Sequence, residues 1–272
     1  MKNLLIDGNS LINRAFYALP VLSTADGVYT NGIYGFLKMM YRAIDDFCPD
    51  RVICAFDIKK PTFRHERFPE YKAGRKKMPE ELVPQIPLLQ EILRQLGVYC
   101  ASVEGFEADD IIGTYSRMGD ENGDETVIIT GDRDSFQLVS GNTSVWFTKK
   151  GISEILALTP ENLKENYGVD ALHVCDLKAL MGDSSDNIPG VPGVGEKTAL
   201  KLLNDYGSLD GVFLHENEIA GKLGEKIRAG RDSAYESRFL AEIVRNAPVE
   251  NIKNIEYVPA DNEKAAKIFN KY

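Results

Sequence analysis

The sequence predicts an α/β fold in which a mostly parallel sheet is flanked by helices and followed by a helical region. Short apolar runs of β type alternate with stretches of helical period over roughly the first 158 residues. After about Thr159 the strand patterns fade, and helices punctuated by glycine and proline take over. The chain has 272 residues, 43% hydrophobic and 27% charged, enough for one large or two modest domains.

The first half of the predicted sheet comes from a strand, a helix and a strand in succession. Asn3–Ile6 is the first apolar run. Between Ile33 and Phe47 apolar residues then recur at spacings of 4, 3, 4 and 3, the period of a helix with one buried face. Arg51–Phe56 is the next apolar run. Two strands joined by a helix predict a parallel pair with a crossover connection.

The same alternation continues towards the middle of the chain. A helix is predicted to end near Leu96, with a start weakened by prolines. The later elements are a strand over 98–103, a helix over 108–118 and strands over 126–130 and 143–147. We therefore predict an α/β core over 1–158, which includes a basic segment at 58–78, and a helical region over 159–272 whose last helix is 263–272.

The composition excludes several classes of protein. The first strand runs into Asp7 after three apolar residues, which is too short for a secretory signal. Four dispersed cysteines and three dispersed histidines argue against a disulfide framework or structural zinc, so a cytoplasmic location is expected. The net charge of −9 conceals an uneven distribution, because residues 58–78 hold eight basic and two acidic side chains.

Acidic residues follow four of the predicted strands. In a parallel sheet, ligands gather beyond the carboxyl ends of the strands. Any one of these acids could simply cap the next helix. As a group they would repel one another by several kcal/mol per close pair, roughly 4 kcal/mol at ~4 Å and an effective dielectric of ~20. Oxygen ligands without paired Cys or clustered His favour Mg²⁺ or Mn²⁺, and paired ions of this kind serve displacement at phosphorus. The acids are Asp7, Asp57, Glu107, Asp109, Asp110, Asp132 and Asp134.

A second acidic pair, Asp183 and Asp186, directly precedes a glycine-rich turn over 190–197. A P-loop is excluded, because no strand precedes the turn and Glu196 stands where the lysine would be needed. The turn instead opens a helix predicted over Glu196–Leu203, whose free N–H groups suit a backbone phosphate. A plain hairpin between two packed helices is the alternative.

The basic segment has two interpretations. Charge runs are usually solvated surface loops. This one is long for an unstructured loop, and the aromatic residues Phe63, Phe68 and Tyr71 are interleaved with its cations, which favours a surface that neutralises phosphates and stacks on bases.

Together these motifs resemble those of the 5′-nuclease family, which comprises flap endonucleases and the N-terminal 5′-3′ exonuclease domains of bacterial DNA polymerases I. The resemblance rests on Asp7-Gly8-Asn9-Ser10, Phe56-Asp57, Tyr71-Lys72-Ala73-Gly74-Arg75, Glu107-Ala108-Asp109-Asp110, Gly131-Asp132-Arg133-Asp134 and Gly182-Asp183-Ser184-Ser185-Asp186-Asn187, in family order. It implies a PIN-like core, a helical arch or clamp at 58–78 and a helix–three-turn–helix near 183–205. It also implies a divalent-metal-dependent 5′-3′ exonuclease or flap endonuclease, a DNA hydrolase of primer removal and repair.

The resemblance further implies a role for each candidate residue. Asp7, Asp57, Glu107 and Asp109 would serve a first ion, and Asp110, Asp132, Asp134, Asp183 and Asp186 a second ion or its surroundings. The residues expected to hold the scissile or 5′-proximal phosphate are Arg14, Lys72 and Arg75. The residues expected to bind DNA elsewhere are Arg64, Tyr71, Lys76, Lys77, Gly190, Gly193, Gly195 and Lys197. The glycine turn would also hold K⁺.

The expected partners are nicked, branched or 5′-flap DNA and, in the native chain, a C-terminal polymerase module. The protein is expected to be a monomer with no membrane partner. Two other functions stay open at this point. One is a PIN-type ribonuclease, and the other is a non-catalytic DNA-binding module whose acids only cap helices.

Overall fold

The computed structural model describes residues 1–270 and divides into two compact units. Unit 1 comprises residues 1–60, 77–159 and 244–272, and unit 2 comprises 61–76 and 160–243. The predicted boundary near residue 159 coincides with one junction between the units. Two segments differ from the prediction, since 61–76 lies in unit 2 and the chain after 243 lies in unit 1.

Unit 1 is built on one six-stranded sheet with the order β3-β2-β1-β4-β5-β6. All neighbouring strands are parallel except β5 and β6, which are antiparallel. The strands are β1 (Lys2–Asp7), β2 (Arg51–Ala55), β3 (Tyr99–Ala101), β4 (Glu125–Thr130), β5 (Thr143–Lys150) and β6 (Glu154–Leu158). The mostly parallel sheet is confirmed, and β6 is the strand that the sequence did not predict.

The helices of unit 1 cover the sheet. They are α1 (Gly8–Ala18), α2 (Asn31–Phe47), α4 (Gln85–Gln95), α5 (Ala108–Asn122) and α12 (Asn262–Asn270). The central strands β1, β2 and β4 are buried along almost their whole length, as expected of strands covered on both faces. The last two residues of the predicted helix 263–272 lie outside the described residues.

Unit 2 is helical. Its helices are α3 (Phe63–Arg67), α6 (Pro160–Tyr167), α7 (Val174–Met181), α8 (Glu196–Tyr206), α9 (Leu209–Leu214), α10 (Gly221–Ala229) and α11 (Arg231–Ala241). A helical region after 159 is thus confirmed, with α8 at the place predicted. No helix among residues 1–270 is long and apolar enough to cross a membrane.

The predicted helical arch at 58–78 is wrong as a helix. The structure places one five-residue helix, α3, in this segment, followed by turns. Prolines at 61 and 69 interrupt any longer helix. Tyr71 is also buried in a small cluster with Ile188, Leu240 and Ala241, which fixes the segment within unit 2.

Candidate active site

The carboxyl ends of β1, β2 and β4 bring acidic residues to one edge of the sheet in unit 1. Asp7 ends β1, Asp57 lies two residues beyond β2, and Asp132 lies two residues beyond β4. Because β1 is hydrogen-bonded to β2 on one side and to β4 on the other, these three carboxylates end neighbouring strands. Glu107, Asp109 and Asp110 begin α5, after strand β3 on the same sheet.

Asp7 is the most deeply buried of the three acids at the ends of β1, β2 and β4. Its Oδ1 accepts a hydrogen bond from the Ser10 N–H at 2.9 Å, which caps α1, and its Oδ2 accepts one from Thr130 Oγ1 at 2.7 Å. The pKa of Asp7 is raised to about 7, mainly by burial; the two hydrogen bonds oppose this rise, and the nearby carboxylates of Asp132 and Asp57 add to it. The three acids therefore interact, as the sequence predicted for this edge.

Thr130 connects two of these acids, and the sequence analysis did not identify it. Its hydroxyl donates to Asp7 Oδ2 and accepts from the Asp132 N–H at 2.9 Å. Asp132 Oδ1 in turn accepts from the Asp134 N–H at 3.0 Å, which shapes the turn after β4. A threonine as the last residue of a buried apolar strand, directly before Gly-Asp, is the signal that could have indicated it.

Asp57 is tied to the start of α5. Its Oδ1 accepts from the Ala108 N–H at 2.8 Å, and its own N–H donates to Asn9 Oδ1 at 3.2 Å. Asp57 thus satisfies one of the free N–H groups in the first turn of α5 while it stays exposed beside the other acids. This bond links the loop after β2 to the helix that carries Glu107, Asp109 and Asp110.

Asp110 occupies a structural position. It is fully buried, its Oδ2 accepts from the Glu107 N–H at 3.0 Å, and its Oδ1 accepts from the Val244 N–H at 2.9 Å. Glu107 and Asp110 form a reciprocal capping box at the start of α5. Helix capping, the alternative role for any one of these acids, therefore describes Asp110 well. Asp109 lies beside Asp110 in the same first turn of α5.

The donor chemistry of this edge fits a hard divalent ion, although the side chains do not enclose one. Among residues 1–270, no three His, Cys, Asp or Glu side chains are grouped tightly enough to hold a metal ion. The groups at the edge are oxygen donors, and Asp57 and Asp132 each repel Asp7, a cost that a bound cation would remove. The residues present are consistent with Mg²⁺ or Mn²⁺ and not with a thiolate site.

Arg14 lies on α1, and its guanidinium lies against Gly131 in the turn after β4. Burial lowers the pKa of Arg14. Its Nε is buried and has no hydrogen-bond partner among residues 1–270. A guanidinium that is partly shielded from water, and has one nitrogen without a hydrogen-bond partner, is suited to binding an anion from outside the protein.

In unit 2 the predicted acids pair with cations of the same unit. Asp183 Oδ2 lies 2.7 Å from the ammonium of the buried Lys178, and its Oδ1 accepts from the N–H and hydroxyl of Ser185. Against the effect of burial, these partners lower the pKa of Asp183 to about 2. Asp186 is buried and binds Arg75 through Nε at 3.1 Å, with Lys72 Nζ at 3.8 Å.

Two residues predicted to bind DNA are buried instead. Tyr71 is 4% exposed, packs in the apolar cluster of unit 2 and points its hydroxyl at Asp186, 3.4 Å away, so it presents no face on which a base could stack. Arg64 is 2% exposed and donates to the carbonyl oxygens of Leu240 and Glu242, at the end of α11. In this structure both side chains have structural roles, and their contact with DNA stays a prediction.

The other predicted DNA contacts lie at the surface or in the glycine turn. Lys76 and Lys197 are exposed, and Lys77 is exposed in unit 1. Gly190 and Gly193 adopt φ of +63° and +77°, values that favour glycine. Gly195 precedes the first turn of α8, where no side chain caps the helix. The Thr198 N–H of this turn donates to the Gly195 carbonyl oxygen at 3.0 Å.

Replacing Arg64 is expected to destabilise the protein. Arg64→Ala would leave two carbonyl groups at the end of α11 without their donor, which costs about 2 kcal/mol in the free energy of unfolding. Urea unfolding measures this loss. Arg67→Ala is the matched control, because the guanidinium of Arg67 lies at the surface against Glu236 and its loss should change little. Normal stability of Arg64→Ala with reduced DNA affinity would contradict the structural role.

The acidic edge of the sheet is the candidate active site. The comparisons with known proteins then place the chain. Residues 2–168 match the family model described as 5′-3′ exonuclease, N-terminal resolvase-like domain, and residues 169–263 match 5′-3′ exonuclease, C-terminal SAM fold. This chain belongs to the 5′-3′ exonuclease family.

The relatives in sequence are DNA polymerases I. The chain is 47% identical over 270 residues to DNA polymerase I of Bacillus caldotenax and 45% identical over 270 residues to that of Bacillus subtilis. In both cases the match covers 98% of this chain and 31% of the polymerase, so the chain spans about a third of the length of these relatives.

A solved structure shows the same fold. The flap endonuclease of bacteriophage T5, in a complex with DNA and metal ions, matches with a TM-score of 0.75 at 19% identity, over 99% of this chain and 98% of the other. At this identity the match confirms the fold, namely a mixed α/β unit with a mostly parallel sheet and a helical C-terminal region.

Proposed function

We propose that this chain is a divalent-metal-dependent 5′-3′ exonuclease and flap endonuclease that hydrolyses phosphodiesters in nicked or branched DNA. The observation that carries the proposal is the acidic edge of the sheet, where Asp7 is buried and its pKa is raised by burial and by Asp57 and Asp132. Membership of the 5′-3′ exonuclease family supports the same function.

We assign Asp7, Asp57, Glu107 and Asp109 to a first ion, either Mg²⁺ or Mn²⁺. Asp132 and Asp134 serve a second ion, while Asp110 holds the start of α5 from outside the ion's contacts. The assignment of Asp183 and Asp186 to the second ion stays a prediction. Bound ions would make a water nucleophilic at neutral pH and neutralise the leaving oxygen. The threonine hydroxyl at 130 keeps Asp7 and Asp132 in place for this task.

The substrate phosphates are held by cations. Arg14 faces the turn after β4 with an unsatisfied Nε, and Lys72 and Arg75 present a second cationic pair in unit 2. The glycine turn leads into the start of α8, which no side chain caps. The positive end of this helix dipole and the charge of Lys197 are offered to duplex phosphates. A K⁺ ion at this turn is part of the proposal.

Three finer points complete the proposal. The relatives are whole polymerases, which supports a native chain that continues into a polymerase module. The four cysteines are free thiols, including Cys54 and Cys100, which lie opposite each other on the paired strands β2 and β3. Free thiols support a cytoplasmic location. We further propose that the protein acts as a monomer.

A flap-cleavage assay tests the proposed function. With Mg²⁺ the protein should cut a 5′-flap DNA duplex and release a product with a 5′-phosphate, and EDTA should stop the reaction. The same flap made of RNA is the matched control, since faster cutting of RNA would favour a ribonuclease. Absence of cutting, or cutting in EDTA, would contradict the proposal. A melting temperature unaffected by millimolar Mg²⁺ would support a non-catalytic module.

A further inference from the structure

Gly131 lies where the chain leaves β4 and turns towards Asp132. A Cβ atom built at this position would be 2.8 Å from Arg14 Nε, 3.0 Å from Arg14 Nη2 and 3.0 Å from Ser10 Oγ. The φ angle of Gly131 does not lie in the left-handed region, so the backbone conformation itself does not require glycine. What requires it is the space that Arg14 and Ser10 fill.

Ser10 holds this arrangement together. Its hydroxyl oxygen accepts from the Gly131 N–H at 2.9 Å, which ties the first turn of α1 to the turn after β4. The Ser10 N–H also donates to Asp7 Oδ1. Ser10 thus connects the buried Asp7, the turn after β4 and the helix that carries Arg14.

Arg14 is half-buried, and part of its guanidinium is shielded from water. Its Nε is buried and makes no hydrogen bond with residues 1–270, and its pKa is lowered by burial. Buried polar groups are almost always paired, so an unpaired guanidinium nitrogen indicates that a ligand completes the site. The turn with Asp132 lies directly beside it.

We propose that Gly131 and Ser10 are positioning residues that hold the Arg14 guanidinium against the turn after β4, where the guanidinium meets a phosphate of the substrate. This inference rests on the proposed function. Gly131 contributes by the absence of a side chain, and Ser10 contributes by fixing the turn to α1. Arg14 is the residue that contacts the phosphate.

Gly131→Ala is an informative variant because the added methyl group would displace side-chain atoms, which can move, and not the backbone. The atoms that the new methyl group would meet belong to the ends of the Arg14 and Ser10 side chains and not to the backbone. The variant should therefore fold while the guanidinium moves away. Gly141→Ala is the matched control, since Gly141 is a loop glycine with no atom within 4 Å of its built Cβ and with φ outside the left-handed region.

A double-mutant cycle tests the inference. In EDTA, Gly131→Ala and Arg14→Ala should each weaken binding to flap DNA and reduce the slope of log affinity against log salt by about one unit. The double variant should bind like Arg14→Ala alone, because the methyl group no longer has a guanidinium to displace. Gly141→Ala should bind like the parent protein. The inference would be overturned if the losses of affinity in the two single variants multiplied in the double variant, or if Gly131→Ala kept full affinity.

A second measurement separates this inference from the proposed function. Phenylglyoxal modifies accessible guanidinium groups, and mass spectrometry reads its addition at Arg14. Gly131→Ala should increase that labelling several-fold, whether or not the protein cuts DNA, and unchanged labelling would overturn the positioning role. If the parent protein neither binds nor cuts flap DNA while labelling rises, the proposed function and the assigned phosphate contact fail, whereas the placement of Arg14 by Gly131 stands.

Discussion

Asp7→Asn is expected to abolish cleavage of flap DNA and, in EDTA at pH 8, to make the protein more stable. Cleavage should fall at least about 10³-fold, since the variant removes a charged ligand from the centre of the acidic edge. Asparagine can keep both contacts, because its oxygen can accept from the Ser10 N–H and its amide can donate to Thr130 Oγ1, which reverses the direction of the second bond.

The gain in stability follows from the pKa of Asp7. The folded carboxyl keeps its proton up to about pH 7, whereas the unfolded one loses it near 3.8. Between these values the folded state binds more protons, so this group's contribution to the free energy of unfolding falls as pH rises and is constant above the window. Asparagine has no such dependence. The variant should therefore be more stable at pH 8 by about 2 to 4 kcal/mol.

Urea unfolding in EDTA at pH 4 and pH 8 measures this effect. The advantage of Asp7→Asn should be present at pH 8 and absent at pH 4. Asp26→Asn, a change of an exposed aspartate in the loop between α1 and α2, is the control and should show no such trend. An Asp7→Asn protein that is less stable than the parent at pH 8 would contradict the raised pKa of Asp7. The same variant should also gain less stability from Mg²⁺ than the parent does.

Much of the α/β core could be predicted because its strands are short apolar runs separated by helical periods. Helix α1 was not predicted, although Leu11, Ile12 and Ala15 are buried at helical spacing, because asparagine and serine around them favour turns and caps. Strand β6 was not predicted either. It is an antiparallel edge strand, only its last residue is fully buried, and its pattern is correspondingly weak.

The site was predictable where chemistry is local and unpredictable where it depends on distant contacts. The acids at strand ends follow from the sheet alone. The burial of Arg64 depends on carbonyl groups 176 and 178 residues further along the chain, which no local pattern reveals. Charge density therefore suggested a DNA contact where the fold uses a structural arginine. Likewise, the number and spacing of acidic residues in the sequence could not show that both carboxylate oxygens of Asp110 accept hydrogen bonds from backbone N–H groups.

Neutralising Asp186 is expected to tighten DNA binding in EDTA. In the free protein its carboxylate holds Arg75 through Nε and Nη2 and lies 3.8 Å from Lys72 Nζ, so two cations assigned to substrate phosphates are occupied by an internal anion. Asp186→Asn removes that charge. If both cations become available to phosphates, affinity at 50 mM salt should rise by about one to two orders of magnitude and the salt slope should steepen by up to about two units.

Asp183→Asn is the matched control for this result. It removes the same charge from the same loop, but its cationic partner Lys178 is buried and cannot reach a phosphate. The general loss of one negative charge should therefore raise affinity slightly and leave the salt slope unchanged. Equal effects of the two variants on the slope would show that Lys72 and Arg75 are not restrained by Asp186. Fluorescence anisotropy with a labelled flap duplex over a salt series distinguishes these outcomes, because the slope reports how many DNA phosphates the protein's cations neutralise and is insensitive to the change in overall charge.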